Sequence, residues 1–295
     1  MQTSNKHIFI VTYDYPPSNG GIARLCFELK KYLEKKGLNV TVICPQSTST
    51  DAEEDNNVVR LHGRRGILEL RTLKYLRKKT VPGDIVITGN YHPEGMLSLL
   101  SNRETYILAH GAEYLAGKSF FRRCIWPTYR RFILRNASCV IANSHYTETL
   151  VKHCSPNAKT IAIPLAVDAI HFRPTCEKYK DGLLHLCSIS RLEKFKGHDF
   201  IIRTIASLPA KYKQQVRLHL GGKGKYKSAL ERMVTDLGLS DIVSFEGFID
   251  DNKLCDFYSA SHIFILCTRE EADNRNVEGL SLIHISEPTR LQLIS

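Results

Sequence analysis

From His7 to Thr12 the chain is apolar, and it then breaks into Tyr13-Asp14-Tyr15-Pro16-Pro17-Ser18-Asn19-Gly20-Gly21, where proline and glycine forbid both helix and strand. Beyond this loop Ile22, Leu25, Cys26, Leu29, Tyr32 and Leu33 recur with the i, i+3, i+4, i+7 spacing of an amphipathic helix, which Gly37 stops. A second apolar run, Leu38 to Cys44, predicts the next strand. Strand, glycine loop, helix and strand make a βαβ unit, which builds a parallel sheet with right-handed crossovers. Asp84 to Thr88, Tyr106 to Ala109, Ser138 to Ala142 and Thr160 to Ile163 continue the strand series.

Thr175 to Asp181 is polar and charged and separates this series from another. Strand-like runs at Leu183 to Ser190, Val216 to Leu220, Val243 to Phe245 and Ile263 to Leu266 alternate with helical spacing over His198 to Leu208, Lys225 to Leu237 and Asn252 to Ala260. The expected architecture is α/β, two Rossmann-like lobes with parallel sheets: an N-terminal lobe over residues 1–174, a linker over 175–182 and a C-terminal lobe over 183–279. The basic stretch from Arg60 to Lys79 also carries Ile67, Leu68, Leu70, Leu73 and Leu76, so it reads as an ordinary surface helix.

Composition fits this picture, because 295 residues with 43% apolar content can bury a core in two domains. The longest apolar runs fall far short of the ~20 residues of a membrane-spanning helix, and the polar start from Gln2 to Asn5 lacks the form of a secretory signal, so a cytoplasmic protein is expected. Of nine cysteines, Cys44, Cys139, Cys187 and Cys267 lie inside strand-like runs, where a thiol serves as a small hydrophobe. No ligand-type spacing of Cys and His occurs, so neither disulfides nor a metal is expected, and no cofactor beyond a co-substrate.

The formal net charge of +11 points to an anionic partner. Between Lys118 and Arg135 six cations stand without an acid, interleaved with Phe120, Phe121, Trp126, Tyr129 and Phe132. That mixture suits an anionic membrane interface, or equally a solvated helix whose aromatics face the core. Nucleic acid is not expected, since no zinc-finger or other nucleic-acid motif accompanies the charge.

Candidate chemistry gathers at strand exits, where ligands of parallel sheets bind. Gly20-Gly21 leads into a helix whose backbone N–H groups can meet a phosphate, although such a glycine pair is as often structural. Arg191 and Lys196, in Ser190-Arg191-Leu192-Glu193-Lys194-Phe195-Lys196-Gly197, can hold a diphosphate by a bidentate contact and a point charge; the alternative is a solvated loop. His110 follows the Ile107 to Ala109 run and can bond a sugar hydroxyl, or can merely pack. Glu278 can grip two neighbouring hydroxyls, or can be an exposed acid.

These residues resemble, in order, the blocks of the GT-B-fold retaining glycosyltransferases of family 4. Pro16-Pro17 with Gly20-Gly21-Ile22-Ala23-Arg24 is similar to the family's first loop, and His110-Gly111-Ala112-Glu113 to its active-site histidine block. Ala142-Asn143-Ser144, Ile163 to Asp168 and Phe172-Arg173-Pro174 resemble the segment closing the first lobe. Ser190-Arg191-Leu192 with Lys196-Gly197, Gly222-Lys223-Gly224 and Phe245-Glu246-Gly247-Phe248 resemble the donor lobe. The resemblance implies that a sugar nucleotide is the donor and a glycan or lipid-linked molecule the acceptor. It implies that Arg191 and Lys196 hold the diphosphate, with Gly222 in the donor site and Phe248 bordering the base, and that His110 and Glu278 touch the transferred sugar. Gly20-Gly21 would complete the phosphate cradle. Transfer would retain the anomeric configuration without an obligatory metal, the cations stabilising the departing diphosphate.

The family pattern expects a second glutamate eight positions after Glu278, where Ser286 stands. Leu280 to Arg290 resembles an in-frame translation of the transposon-end adapter of sequencing libraries, so residues 280–295 are expected to be non-native and the second lobe incomplete. The chain as written is then expected to be poorly stable and inactive, the function being that of its intact parent. The competing class is a degenerate GT-B protein that binds nucleotides or anions without transfer. A glycosidase is not favoured, because no suitably placed carboxylate pair stands out.

Overall fold

Ile8, Phe9, Ile10 and Val11 offer no polar side chain to water, the pattern of a strand covered on both faces. They form β1 (Ile8–Val11), which pairs in parallel with β2 (Val40–Pro45) on one side and β4 (Ile85–Thr88) on the other. Period-two alternation then sorts the strand: Ile8 and Ile10 pack under helix α1 (Gly21–Lys35), while Phe9 and Val11 pack toward α2 (Ile67–Lys79) with Leu76. The computed structural model describes residues 6–18, 20–46, 55, 57–114, 125–166 and 172–268. The chain divides into two compact units, Met1–Pro164 and Leu165–Ser295.

The first unit adds β3 (Val58–Leu61), α3 (Met96–Leu100), β5 (Glu104–Ala109), α4 (Trp126–Asn136), β6 (Cys139–Ala142), α5 (His145–Cys154) and β7 (Thr160–Ala162). Its sheet runs β3-β2-β1-β4-β5-β6-β7, and every pairing is parallel. The order reverses at β1, so the loops leaving β1 and β4 lie at the switch point of the sheet. In the second unit β8 (Leu184–Ile189), α6 (His198–Ser207), α7 (Ala210–Lys213), β9 (Val216–Gly221), α8 (Lys227–Asp236), β10 (Val243–Gly247), α9 (Asp251–Ala260) and β11 (Ile263–Phe264) give the parallel order β10-β9-β8-β11. Leu186, Leu218 and Leu220 face Ile201, Ile202 and Ile205 of α6 and Leu230 and Val234 of α8 in one apolar layer. The fold is the doubly wound α/β arrangement expected, once in each unit.

Two expectations need correction. Arg60 to Lys79 is not one helix: Val58–Leu61 is an edge strand beside β2, and the helix begins only at Ile67. Four residues ending in Arg60 and Leu61 are too few to show an alternation, and pairing with Val42 to Pro45 supplies what the local pattern lacks. Residues 175–182 are also not a bare linker. The division of the chain falls after Pro164 rather than Pro174, and the polar segment packs into the second unit. Thr175 bonds Ser259 and Asp256 of α9, Tyr179 N donates to the Ala260 carbonyl at 3.1 Å, and the Tyr179 ring stacks on His185 at 3.9 Å.

Candidate functional site

In the first unit the candidates meet around the loops leaving β1, β4 and β5. Gly89, just past β4, donates its N–H to the Val11 carbonyl at 2.8 Å. A Cβ there would lie 2.7 Å from Thr12 Oγ1, so only glycine lets the two exits approach. The Gly89 carbonyl accepts a bond from His110 Nε2 at 2.8 Å, which places the ring proton on Nε2 and leaves Nδ1 as the acceptor of the neutral imidazole. A sugar hydroxyl can donate to it. His110 is held further by its own N–H on Glu113 Oε1 at 2.7 Å and by Asn143 Nδ2 on its carbonyl at 3.2 Å. Gly111 has φ +114°, a left-handed value that turns the chain away below Thr147. Ser144 then opens α5 by accepting the Thr147 N–H at 3.1 Å, an N-cap of the usual kind.

Gly20 and Gly21 differ in their reasons. A Cβ on Gly20 would stand 2.2 Å from Asp14 Oδ2, so this glycine is fixed by close packing, whereas one on Gly21 would meet nothing within 4 Å. Gly20 caps α1 with no side-chain hydrogen bond, and the first turn carries no acid. The amides that open α1 therefore carry positive partial charge with no acid in the first turn to offset it. Beneath this loop lies Glu94, 4% exposed, whose Oε1 accepts the Tyr13 N–H at 3.0 Å. Burial, with the Asp14 and Glu69 charges adding to it, pushes its carboxyl up to about 7. A lone acid six residues past the end of a strand carries no sequence signal that marks it.

In the second unit the exits of β8, β9 and β10 are stitched by backbone. Ser190 N donates to the Gly221 carbonyl at 3.2 Å, Leu192 N to Lys223 at 2.9 Å and Gly222 N to Gly247 at 2.6 Å. Gly222 has φ +130°, and a Cβ on it would fall 1.9 Å from the Ser190 carbonyl oxygen; one on Gly224 would fall 2.2 Å from that of Leu192. The Gly222-Lys223-Gly224 turn thus clamps Ser190 to Leu192, and with them the base of Arg191. The guanidinium of Arg191 lies 5.9 Å from the centre of the Phe195 ring and Lys196 Nζ lies 5.0 Å from it. Phe195 is only 6% exposed, so both cations lie beside one fixed aromatic ring. Lys223 Nζ sits 5.1 Å from the Phe248 ring, which is 54% exposed.

Behind this loop His198 is fully buried at the start of α6 and bonds Ser190 Oγ at 2.9 Å through Nε2. Burial, the largest cause, and the nearby Lys196 charge lower it to about 4, with Asp199 opposing them, so the ring is neutral and serves as a brace for Ser190. Sequence reasoning named Arg191, Lys196, Gly222 and Phe248 but missed Phe195, Lys223 and His198; an aromatic set between two cations is the signal available for the first. Glu278 lies outside the described residues.

Each unit is thus a parallel α/β sheet with glycine-clamped loops at its strand exits, and the second carries paired cations suited to phosphate; this is the build of a sugar-nucleotide transferase. Comparison with known proteins agrees. The family model for Glycosyltransferase Family 4 matches residues 19–170, and that for Glycosyl transferases group 1 matches residues 177–283. The chain belongs to glycosyltransferase family 4. It is 24% identical over 300 residues to a GDP-mannose-dependent alpha-(1-6)-phosphatidylinositol monomannoside mannosyltransferase of Mycobacterium tuberculosis, covering 94% of this chain and 77% of that protein. It is 23% identical over 293 residues to an alpha-monoglucosyldiacylglycerol synthase of Streptococcus pneumoniae, covering 90% of this chain and 66% of that one. Among solved structures, the sucrose-phosphate synthase of Thermosynechococcus elongatus shares the fold with a TM-score of 0.70 at 19% identity, over 94% of this chain and 78% of that one.

Proposed function

We propose that this protein, in its intact form, transfers a sugar from a nucleotide-diphosphate sugar to a glycan or lipid-linked acceptor, with retention at the anomeric carbon and without an obligatory metal. The observation that carries the reading is the convergence of Arg191 and Lys196 over Phe195 at the exit of β8. Two cations on a rigid floor can neutralise charge that builds on a departing diphosphate, and they need no reorganisation as the bond breaks. His110, whose Nε2 donates to the Gly89 carbonyl, is assigned through its other ring nitrogen to a hydroxyl of the transferred sugar, and Glu278 to its neighbouring hydroxyls. Gly20 and Gly21 are assigned to phosphate, Gly222 to the donor loop and Phe248 to the edge of the base.

A lipid-linked acceptor is supported by the names of the relatives and by one surface. On α2, Ile67 is 54% and Leu70 69% exposed beside exposed Arg71, Lys74, Arg77 and Lys78, a face suited to an anionic bilayer. No helix among the described residues is long and apolar enough to cross a membrane; the contact proposed is a peripheral one, at the cytoplasmic face. Flotation with liposomes tests it: binding only to vesicles with anionic lipid is expected, and no binding to either kind would remove the membrane from the reading.

The function itself is tested by titrating GDP-mannose and UDP-glucose into the protein and following release of the nucleoside diphosphate. Charge-assisted hydrogen bonds to a phosphate contribute roughly 1.5–3 kcal/mol each, so Arg191→Ala should weaken donor binding about ten- to a hundredfold. Arg191→Lys should recover little of this, because the bidentate fork is lost. Binding without turnover with any acceptor tried would favour a binding protein; undiminished binding in Arg191→Ala and Lys196→Ala would overturn the site.

A further inference from the structure

Glu94 occupies an unusual place in the first unit. It sits in the turn that follows β4, 4% exposed, and two things distinguish it from a packed surface acid. Its Oε1 accepts the N–H of Tyr13, the residue after Thr12 at the exit of β1. Its Oε2 is buried without a hydrogen-bond partner among the described residues. From Tyr13 the path to the opening of α1 is short. Asp14 follows in the chain, receives the Ser18 hydroxyl on Oδ1, and holds Oδ2 2.2 Å from where a Cβ of Gly20, the cap of the helix, would stand.

The groups facing Glu94 come from each element around it. The loop after β1 supplies Tyr13 and Asp14, α2 supplies Glu69, and α1 supplies Cys26, whose thiol is itself pushed up to about 12, chiefly by burial. Asp14 and Glu69 both disfavour a carboxylate at this position. A buried oxygen with no donor to meet it favours the neutral acid for the same reason.

We propose that Glu94 is a positioning residue for the transfer reaction: it holds the loop before α1 through the Tyr13 amide, and it is uncharged whenever a phosphorylated ligand rests on that loop. The proposal rests on the reading of this protein as a sugar-nucleotide transferase. A proton taken from solvent settles on Oε2, while Oε1 keeps the Tyr13 bond. The loop then presents the helix N-terminus to the ligand with one fewer buried negative charge beneath it. When Glu94 ionises, its charge adds to those of Asp14 and Glu69 and opposes both the closed loop and the anion. Its ordinary range is lifted to about 7, chiefly by burial, so the exchange falls near neutrality. Ligand binding is therefore coupled to proton uptake.

Two measurements test this. GDP-mannose and UDP-glucose, whose phosphodiester charges do not titrate near neutrality, are titrated calorimetrically from about pH 6 to about pH 8.5 into the wild type and Glu94→Gln; if binding strictly requires the neutral acid, the wild-type Kd rises up to about tenfold per pH unit above about pH 7 while that of the variant stays level. The same pH slope in both proteins would overturn the proposal. Amide exchange at Tyr13 and through Ser18 is followed without ligand over the same range. It should accelerate with pH, beyond the intrinsic chemical rate, in the wild type and not in the variant; equal protection at both ends of the range in the wild type would overturn it whether or not either nucleotide binds. Absence of nucleotide binding together with pH-dependent loop protection would instead count against the transferase reading and keep the positioning role.

Discussion

Replacing Glu94 by glutamine should stabilise the first unit in mildly alkaline solution and not in acid. Burial, assisted by Asp14 and Glu69 and partly offset by hydrogen bonds from its own amide and that of Tyr13, lifts the carboxyl from 4.5 to about 7. The folded chain thus holds this proton more tightly than the unfolded chain does. The corresponding stability is intact below about pH 4.5 and is lost as pH rises through about 7. At about 1.4 kcal/mol per pH unit the interval amounts to roughly 3 kcal/mol. Glutamine removes the titration but sets an amide N–H₂ where Oε2 had no partner, which costs about 1 kcal/mol. The expected balance is a gain of about 2 kcal/mol at about pH 8.5 and a loss of about 1 kcal/mol at about pH 4.5. Trp126 is the single tryptophan of the chain and donates to Tyr91 Oη at 2.7 Å, so its fluorescence in denaturant reports on this unit. Parallel stability–pH curves for the two proteins would refute the argument.

The second unit should show the opposite trend. His198 is depressed from 6.5 to about 4, so its contribution is present above about pH 6.5 and is lost as pH falls through about 4, seen as a falling protection factor at the Ile202 amide after correction for the intrinsic exchange rate. Gly222→Ala places a Cβ 1.9 Å from the Ser190 carbonyl oxygen at φ +130°, and should lower the stability of that unit by more than about 2 kcal/mol in chemical denaturation; a smaller loss would mean that the clamp on Arg191 is loose. Ser144→Ala removes the N-cap of α5 and should cost about 1 kcal/mol by the same measurement.

Much of the fold follows from local pattern. An apolar run such as Ile8 to Val11 cannot face water on either side, and the spacing of Ile22, Leu25, Cys26, Leu29 and Leu33 fits one stripe of a helix, so β1, α1 and their order are fixed by residues close in sequence. The strand exits, and hence Gly20, His110, Arg191 and Gly222, come with that order. Val58–Leu61 could not be read this way, because four residues acquire their strand identity from β2. The polar segment at 175–182 was likewise decided by its bonds to α9 and its stacking on His185. Phe195, His198 and Glu94 depend still more on tertiary structure. Two cations share an aromatic neighbour only once the loop has folded around Phe195, and a glutamate becomes a titrating group near neutrality only when the loop from β1 packs against it. Sequence determines which side chains want to be buried; the environment that shifts a charge or joins distant cations exists only once segments far apart in the chain have packed together.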